Sequence, residues 1–364
     1  MNSLRAIGWP WPDAPDDPQW RELLAAHPQA HPARVVEQHR SGYRVATGPD
    51  PDAVATAVSP PQWQRPRFPP EQRAAVGDWV LVQPQGGSDQ IVALLPRLRA
   101  IERAAAGEHY RRQVIAANID TVFVVCGLDA DFNPRRIERY LLLIEGSGAA
   151  PVVLLTKADH ADADASAAQA ALGDIRAQRI PVLALNAKDP HVREMLAPWL
   201  QPGSTAVLVG SSGAGKSTLT NTLLGDTRMK TGQVRASDER GRHTTTHRAL
   251  IALPGGACLI DTPGMRELKP TGEENVERNF AEIDALAEQC RFRDCQHERE
   301  PGCAVRQALD DGTLDAQRYA SYRKLRDEVS HAATRREAQA TGKPPVRAQT
   351  RALSRRFDEK PGRH

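Results

Sequence analysis

The Gly-rich segment at residues 210–218 constrains the fold of this chain more than any other part of the sequence. It reads GSSGAGKST and fits the pattern G-x-x-x-x-G-K-[ST]. The apolar run TAVLVG leads into it, and the residues that follow predict a helix. In such a unit the backbone N–H groups of the loop and the helix N-terminus converge on phosphate oxygens. The segment therefore predicts a phosphate-binding loop inside an α/β domain.

Two side chains of this loop have defined tasks when a nucleotide is bound. The Lys216 ammonium bridges the β- and γ-phosphates, and the Ser217 hydroxyl is a ligand of Mg²⁺. Lys216 is accordingly the first candidate catalytic residue. The predicted phosphate contacts are Gly210, Ser211, Ser212, Gly213, Ala214, Gly215, Lys216, Ser217 and Thr218.

Further along the chain, the run ACLIDTPG brings Asp261 to the end of an apolar strand, with Gly264 three residues later. A carboxylate at a strand end can hold Mg²⁺ through water, and a glycine N–H there can contact the γ-phosphate. The polar segment GRHTTTHR lies between this run and the phosphate loop, where a Mg²⁺-sensing switch is expected. Thr245 or Thr246 is the candidate magnesium ligand, and the register between the two stays open.

The residues that follow two further predicted strands indicate which nucleotide base is bound. The run PVVLLTKAD carries Thr156, Lys157, Ala158 and Asp159, and a carboxylate at Asp159 can accept both N1–H and N2–H of guanine. Adenine has no such pair of donors, so these residues favour GTP. The Lys157 stem would lie over the ring. A second run, PVLALN, ends at Asn186 and Ala187, where a backbone N–H can meet the guanine O6.

The distribution of apolar and polar residues along the chain predicts a multidomain α/β protein. Apolar runs alternate with amphipathic stretches over residues 117–270, which is typical of a parallel sheet covered on both faces. Asn133 followed by Pro134 predicts the start of a helix. Residues 1–33 have no clear periodicity and are expected to be an irregular extension, whereas residues 271–335 predict helices. Residues 336–364 form a basic tail, expected to be disordered.

Residues 34–104 contain short apolar runs separated by Gly, Pro and Asp, a pattern that predicts an OB-like β-barrel of about five strands. Barrels of this kind often bind oligonucleotides through aromatic and basic side chains. The alternative is that each such residue is an aromatic of the core or a solvated charge. The candidates for RNA contact are Arg34, Arg40, Tyr43, Arg44 and Trp79.

Three cysteines and a histidine are crowded near the carboxyl end of the chain. Cys290, Cys295, His297 and Cys303 read C-x₄-C-x-H-x₅-C, which predicts a closed tetrahedral zinc site with no position left for water. Such a site is structural and crosslinks a small helical domain. The other two cysteines, Cys126 and Cys258, lie in apolar runs and are expected to be core residues.

The sequence also argues against a secreted protein and against a membrane-spanning protein. The first twenty residues have no apolar stretch of signal-peptide length, and no run of eighteen apolar residues occurs in the chain. We therefore expect a soluble cytoplasmic protein. The formal net charge is +3, which by itself decides nothing about nucleic acid.

The order of the motifs is unusual, because the segments that predict base recognition precede the phosphate loop. The chain resembles the ribosome small-subunit-dependent GTPase A family, which is circularly permuted in this way between an OB-like barrel and a zinc-bearing helical end. The resemblance implies GTP hydrolysis, with GTP and GDP as substrate and product, Mg²⁺ and one structural Zn²⁺. It also implies a monomer that acts late in maturation of the 30S subunit and contacts the 16S rRNA of that subunit. The resemblance further implies that the subunit stimulates the GTPase activity.

This chain departs from the family pattern at three positions. Thr156 stands where members commonly have Asn, and Asn186 stands where they commonly have Ser. Met265 follows Gly264, so no glutamine is present there to orient the attacking water. The resemblance suggests His243 for that task, and a loop histidine without a catalytic role is the equal alternative. Two rival functions stay open, an ATP-dependent enzyme and an RNA-binding protein with a vestigial nucleotide site.

Overall fold

A computed structural model of the chain describes residues 2–39, 42–65, 68–86, 88–104, 112–160, 162–225, 248–262 and 270–341. The chain divides into two compact units. The first comprises Met1–Glu102 and Gln113–Leu268, and the second comprises Arg103–Arg112 and Lys269–His364. No helix among the described residues is long and apolar enough to cross a membrane.

The first unit contains five strands, after its amino-terminal segment, whose pairings close into a cycle. Strand β1 pairs antiparallel with β2 and with β4, β2 pairs with β3, and β5 joins β3 to β4. This cycle lies within the region predicted as an OB-like barrel, residues 34–104, and the OB-like assignment itself stays a prediction. The strands are β1 (His31–His39), β2 (Gly42–Ala46), β3 (Val54–Val58), β4 (Trp79–Gln85) and β5 (Ser88–Leu94).

The interior of these strands is filled by alternating apolar side chains, as expected when one face of each strand is buried. Two further strands, β6 (Ala100–Ala104) and β7 (Arg112–Ala117), pair with each other. Four short 3₁₀ turns occur among the described residues of the unit, at Pro51–Ala53, Pro61–Gln64, Pro70–Gln72 and Ala197–Trp199. The buried cluster consists of Ala33, Val35, Tyr43, Val45, Ala57, Trp63, Ala74, Val80, Val82 and Ile91.

The amino-terminal segment is ordered by aromatic packing, which differs from the irregular extension predicted for residues 1–33. It forms the helices α1 (Asn2–Arg5) and α2 (Pro18–Ala26), and the Asp17 carboxylate caps α2. Trp9 and Trp20 are buried, and the Trp9 ring lies 4.8 Å from that of Trp79 in an edge-to-face arrangement. Asp17 followed by Pro18 is a local helix-start signal that the sequence analysis missed, whereas the burial of the isolated tryptophans depends on tertiary packing.

Burial removes three of the residues considered for RNA contact. Arg34 is completely buried, with its guanidinium 5.1 Å from the centre of the Trp79 ring, and both Trp79 and Tyr43 are buried as well. Arg44 is exposed, and Arg40 lies outside the described residues. The hydrogen bonds of the Arg34 guanidinium go to the backbone carbonyl oxygens of Ile7, Gly8, Gly77 and Asn118.

The nucleotide domain continues the same sheet with six more strands in the spatial order β10-β9-β8-β11-β13-β12. All neighbours pair in parallel except β12, which is antiparallel to β13 and to β1, where Glu37 faces Ala249. The four apolar runs named in the sequence analysis each contain a strand, as predicted. The strands are β8 (Thr121–Gly127), β9 (Ala150–Thr156), β10 (Val182–Ala184), β11 (Thr205–Gly210), β12 (Ala249–Ala252) and β13 (Cys258–Asp261).

Helices cover this sheet, and the predicted helix start after Asn133 is confirmed. The Asn133 side chain accepts a hydrogen bond from the N–H of Arg136, and Pro134 is the first helical residue. Cys126 and Cys258 are buried, and burial raises the pKa of each thiol to about 11. The helices are α3 (Pro134–Glu145), α4 (Ala165–Ala171), α5 (Gly173–Ala177), α6 (Val192–Leu196) and α7 (Lys216–Leu224).

The described elements of the second unit after residue 270 are helices, as the sequence predicts. Its core is aromatic: the Phe280 and Tyr322 rings lie 5.5 Å apart, and the Arg318 guanidinium lies 4.1 Å from the centre of the Phe280 ring. Of the predicted basic tail, residues 336–341 continue the last helix, and residues 342–364 lie outside the described part. The helices are α8 (Val276–Asn279), α9 (Ala281–Ala287), α10 (Ala304–Asp310) and α11 (Ala316–Thr341).

Candidate nucleotide-binding site and metal centre

The predicted phosphate loop joins the end of β11 to the start of α7. Gly213 and Gly215 have φ values of +85° and +92°, which residues with a Cβ rarely adopt. At Gly210 a Cβ would lie 2.2 Å from the carbonyl oxygen of Val125 in the neighbouring strand. The glycines are therefore required by backbone conformation and by the close approach of β8. Helix α7 begins at Lys216, directly after Gly215 at its N-cap position.

The Lys216 side chain is held in the loop by backbone oxygens. Its Nζ donates to the carbonyl oxygens of Gly210 at 2.9 Å and Ser211 at 2.5 Å, and the residue is 9% exposed. Burial lowers the pKa of this ammonium, whereas the negative charges of Asp261 and Asp131 oppose that shift. A cation fixed in this way needs no reorganisation when an anionic ligand arrives.

Asp261 is the last residue of β13 and is buried, with 4% of its surface exposed. Burial raises the pKa of this carboxyl, and the charge of Lys216 opposes the shift. Beside it, the Thr262 hydroxyl donates to the carbonyl oxygen of Leu208 at 2.7 Å, which ties the end of β13 to β11. The structure thus brings the predicted cation of the loop and the predicted magnesium carboxylate to one edge of the sheet.

Thr156, which replaces the usual family asparagine, connects the base segment to the phosphate loop. Its Oγ1 donates to the carbonyl oxygen of Ala214 at 2.6 Å, and the side chain is completely buried. The same hydroxyl lies 3.4 Å from the carbonyl oxygen of Cys126. The Thr156 hydroxyl therefore links the first base segment to the phosphate loop.

The other base-segment residues lie at neighbouring strand ends. Lys157 has a left-handed backbone with φ +61°, and its Nζ donates to Asp129 at 2.5 Å. The Asp159 carboxylate is exposed and has no side-chain partner among the described residues. Ala158 follows in the same turn, and its N–H donates to the carbonyl oxygen of Leu185 at 3.3 Å.

The second base segment is tied to the helix that follows the phosphate loop. The Asn186 side chain accepts from the N–H of Lys188 at 3.0 Å, which forms a turn, and the carbonyl oxygen of Ala187 accepts from the Thr222 hydroxyl on α7 at 2.6 Å. Both base segments are therefore fixed to the phosphate-loop unit by hydroxyl hydrogen bonds. Thr222 belongs to no recognisable sequence motif, so the sequence analysis did not identify it.

Four predicted site residues lie outside the described residues: His243, Thr245, Thr246 and Gly264. Their roles in water orientation and in magnesium and γ-phosphate contact stay predictions. Two aspartates were missed by the sequence analysis, Asp129 and Asp131, which contact Lys157 and Ser211 respectively. The signal that could have found them is their position directly after the buried strand β8, at the same sheet edge.

The candidate metal centre lies in the second unit. The ligand atoms of Cys290, Cys295, His297 and Cys303 all lie within 4.8 Å of one another. His297 has a left-handed backbone, with φ +60°, and is buried together with Cys303. Cys303 also caps α10 by accepting from the N–H of Arg306 at 3.4 Å.

The separations among the ligand atoms of Cys290, His297 and Cys303 fit the edges of a zinc-centred tetrahedron, and the Cys295 Sγ lies within 4.8 Å of them. With Zn–S of about 2.3 Å and Zn–N of about 2.0 Å, tetrahedral geometry requires S···S near ~3.8 Å and N···S near ~3.5 Å. The Sγ atoms of Cys290 and Cys303 are 3.8 Å apart. The Nδ1 atom of His297 lies 3.6 Å from Cys290 Sγ and 3.4 Å from Cys303 Sγ. The donor set and its spacing therefore fit Zn²⁺.

The fold and the site together define a class of protein, a P-loop GTPase whose base segments precede its phosphate loop. The sequence model described as RsgA GTPase matches residues 94–271. A protein of Xanthomonas campestris pv. campestris (strain B100), named small ribosomal subunit biogenesis GTPase RsgA, is 65% identical over 91% of this chain and 90% of its own length. The chain belongs to the RsgA GTPase family, whose members are GTP-hydrolysing enzymes.

Other relatives and solved structures agree with this assignment. A protein of the same name from Xanthomonas axonopodis pv. citri (strain 306) is 61% identical over 100% of this chain and 98% of its own length. The crystal structure of YjeQ from Thermotoga maritima superimposes with a TM-score of 0.58 at 25% identity, covering 82% of this chain and 98% of that one.

Two further matches are narrower in what they establish. YloQ, described as a circularly permuted GTPase, has a TM-score of 0.56 at 22% identity, over 84% of this chain and 96% of its own, and supports the fold. The sequence model of ABC transporters also matches residues 197–353. That stretch contains the phosphate loop, a motif that many nucleotide-hydrolysing families share.

Proposed function

We propose that this chain hydrolyses GTP during biogenesis of the small ribosomal subunit and that the 30S subunit is its partner. The observation that carries the proposal is the identity of 61–65% over at least 90% of relatives named small ribosomal subunit biogenesis GTPase RsgA. Hydrolysis is slow in the free protein and is accelerated by the subunit late in its maturation. The protein acts as a monomer in the cytoplasm and contacts the 16S rRNA.

The phosphates of GTP bind in the loop at residues 210–218. Lys216, already held by two carbonyl oxygens, neutralises the charge that develops on the transferred phosphoryl group. Mg²⁺, held by Ser217, Asp261 and either Thr245 or Thr246, supplies charge neutralisation at the β- and γ-phosphate oxygens. Because Lys216 and Asp261 are buried and oppositely charged, their interaction is little screened by solvent.

The guanine base is recognised by Asp159, with the stem of Lys157 over the ring and the Ala187 N–H near O6. The exposed Asp159 carboxylate has no other partner among the described residues, so both of its oxygens are available to the base. A carboxylate that accepts two N–H groups selects guanine over adenine, because adenine leaves it without those donors.

Replacing Asp159 by Asn should weaken GTP and favour xanthosine triphosphate. The amide can donate to the extra carbonyl at C2 of xanthine, whereas it cannot accept both N–H groups of guanine. A loss of about 10²-fold in GTP affinity is expected for a broken charge-assisted pair. Competition of GTP, ATP and xanthosine triphosphate for a fluorescent nucleotide measures it. Asp174→Asn, an exposed aspartate on α5, is the matched control. Unchanged GTP affinity in Asp159→Asn would show that another group reads the base.

The direct test of the function is GTP turnover by the purified protein alone, with 30S subunits and with 50S subunits. The proposal requires acceleration by 30S subunits and none by 50S subunits. Equal turnover in all three reactions would reject the small subunit as the partner. Stronger competition by ATP than by GTP would reject the nucleotide assignment.

His243 orients the attacking water, since Met265 leaves the position after Gly264 without a polar side chain. If this histidine acts only in the complex with the subunit, His243→Ala loses the 30S-stimulated rate by at least ~10²-fold and keeps nucleotide binding. A titration with 30S subunits, beside a binding assay with a non-hydrolysable GTP analogue, measures both. His191→Ala, an exposed histidine in the same domain, should behave as the unmodified protein. Normal stimulation in His243→Ala would reject the role.

The Cys290–Cys295–His297–Cys303 cluster binds one structural Zn²⁺. Four protein ligands leave no open coordination position, so the ion crosslinks the helical unit and takes no part in hydrolysis. The cluster joins the segment after α9 to the start of α10, two parts of the unit with few large apolar residues of their own.

A further inference from the structure

A short loop after β8 touches both halves of the candidate nucleotide site. Residues 128–133 contain two aspartates, and neither belongs to the phosphate loop or to the two base segments. Asp129 contacts the base segment and Asp131 contacts the phosphate loop. The two contacts are linked, since the N–H of Asp131 donates to the Asp129 carboxylate at 3.0 Å.

Asp129 holds the lysine of the base segment. Its Oδ2 lies 2.5 Å from the Lys157 Nζ, and the Lys157 charge contributes to lowering the pKa of the carboxyl. Gly127 leaves room for this pair, because a Cβ there would lie 2.7 Å from Asp129 Oδ1 and 3.2 Å from Lys157 Nζ. The backbone at Lys157 is left-handed, with φ +61°. The ion pair with Asp129 holds the long Lys157 side chain in one direction from this backbone.

Asp131 holds the first variable residue of the phosphate loop. The Ser211 hydroxyl donates to the Asp131 carboxylate, with its Oγ 2.6 Å and 2.5 Å from the two oxygens. Such short O–H···O⁻ bonds are among the stronger hydrogen bonds in proteins. The carbonyl oxygen of the same Ser211 accepts from the Lys216 Nζ at 2.5 Å. A chain of contacts thus runs from Asp131 through Ser211 to the ammonium that meets the phosphates.

The Asp131 carboxylate is itself fixed from outside the phosphate loop. Arg136 on α3 donates to it at 2.6 Å, and the N–H of Gly127 donates at 3.3 Å. Arg136 partly neutralises a negative charge that would otherwise oppose a polyanionic ligand. The carboxylate can therefore stiffen the loop without a large electrostatic penalty to phosphate binding.

We propose that Asp129 and Asp131 are positioning residues for GTP: Asp129 orients Lys157 over the guanine, and Asp131 fixes Lys216 through Ser211. The inference rests on the proposed nucleotide function and adds to it a third element that holds the base and phosphate halves of the site in register. Neither aspartate touches the reacting atoms.

The two aspartates should give opposite kinetic signatures in the full-length protein. Asp129→Asn should raise KM for GTP and Kd for fluorescent GDP by up to about fivefold, the value of a partly exposed ion pair, with kcat unchanged. Asp131→Asn should lower kcat at least about tenfold, because a small displacement of Lys216 affects the transition state most, and should change KM less. Asp52→Asn, which removes the same charge at an exposed turn, should match the unmodified protein.

A second set of variants separates positioning from a general loss of structure. Ser211→Ala combined with Asp131→Ala should cost no more than Asp131→Ala alone, because each change removes one partner of the same Ser211–Asp131 hydrogen bond. Gly127→Ala should reproduce the Asp129→Asn phenotype, because the added methyl group displaces the ion pair. Thermal unfolding of each variant should stay close to that of the unmodified protein.

Three results would overturn the inference. The first is that both aspartate variants keep the KM and kcat of the unmodified protein. The second is that both variants show equal shifts of KM and kcat together with a lower Tm, and the third is that the losses of the Ser211 and Asp131 variants add in the double variant. In each of these cases the unmodified protein still binds GDP and responds to 30S subunits, so the proposed function survives. Failure of the unmodified protein to bind GDP would refute the proposed function, and the inference with it.

Discussion

Lys216→Ala is expected to lower GTP turnover at least ~10³-fold, both with and without 30S subunits, since it removes the fixed cation at the transferred phosphoryl group. The side chain is buried, and two loop carbonyl oxygens hold its Nζ before any nucleotide arrives. Its removal takes one donor away from each of those oxygens and removes the positive charge that the developing negative charge requires. Single-turnover hydrolysis with radiolabelled GTP measures the rate over this range.

The matched control is Lys188→Ala, which removes an exposed lysine from the turn after the second base segment. It should keep the rate of the unmodified protein within a factor of about two, because exposed charges contribute little when solvent screens them. Undiminished turnover in Lys216→Ala would mean that the loop at residues 210–218 does not bind the reacting phosphates. Circular dichroism of both variants checks that the fold is retained.

Cys295→Ser is expected to abolish stoichiometric zinc and to unfold the helical unit, while the nucleotide domain keeps its affinity for GDP. Structural zinc sites contribute about 10–16 kcal/mol of apparent binding free energy at neutral pH, so a unit held by one can lose its fold when a ligand is removed. Metal analysis of freshly purified protein should give one zinc per chain for the unmodified form. Limited proteolysis should then cleave the variant after the nucleotide domain.

Cys258→Ala is the matched control, because it removes a buried thiol that lies in β13 and outside the metal cluster. It should lower the free energy of unfolding modestly and retain one zinc per chain. A strong chelator added to the unmodified protein should reproduce the Cys295→Ser result. Unmodified protein that carries no zinc, or a Cys295→Ser variant that stays folded and resists proteolysis, would exclude a structural zinc site.

Features carried by local patterns were predictable from the sequence. The phosphate loop was found because its glycines, lysine and hydroxyl follow each other directly, between a strand and a helix whose apolar patterns are themselves local. The cap of α3 by Asn133 and the parallel strands of the nucleotide domain were predicted for the same reason. The Cys/His spacing indicated a metal site because all four ligands lie within a short stretch of chain.

Function could also be inferred from the order of these motifs along the chain. Base segments that precede the phosphate loop indicate circular permutation, and this needs no coordinates. The sequence shows a threonine at position 156 in place of the common asparagine, but it does not show what the threonine hydroxyl contacts. A side chain's partner across the sheet depends on which strands are neighbours, and the hydrogen bond from Thr156 to Ala214 became visible only with the strand order.

Long-range packing decided the rest. Arg34 and Trp79 suggested an RNA surface, yet both are buried, because Arg34 finds four backbone acceptors contributed by distant parts of the chain. The tryptophans of the first twenty residues follow no helical or strand periodicity in the sequence. The packing of Trp9 against Trp20 and Trp79 shows that the segment predicted as an extension belongs to the core. Asp129 and Asp131 carry no motif at all. Their contacts arise because parallel strands end at one edge of the sheet, which brings together loops that are far apart in sequence.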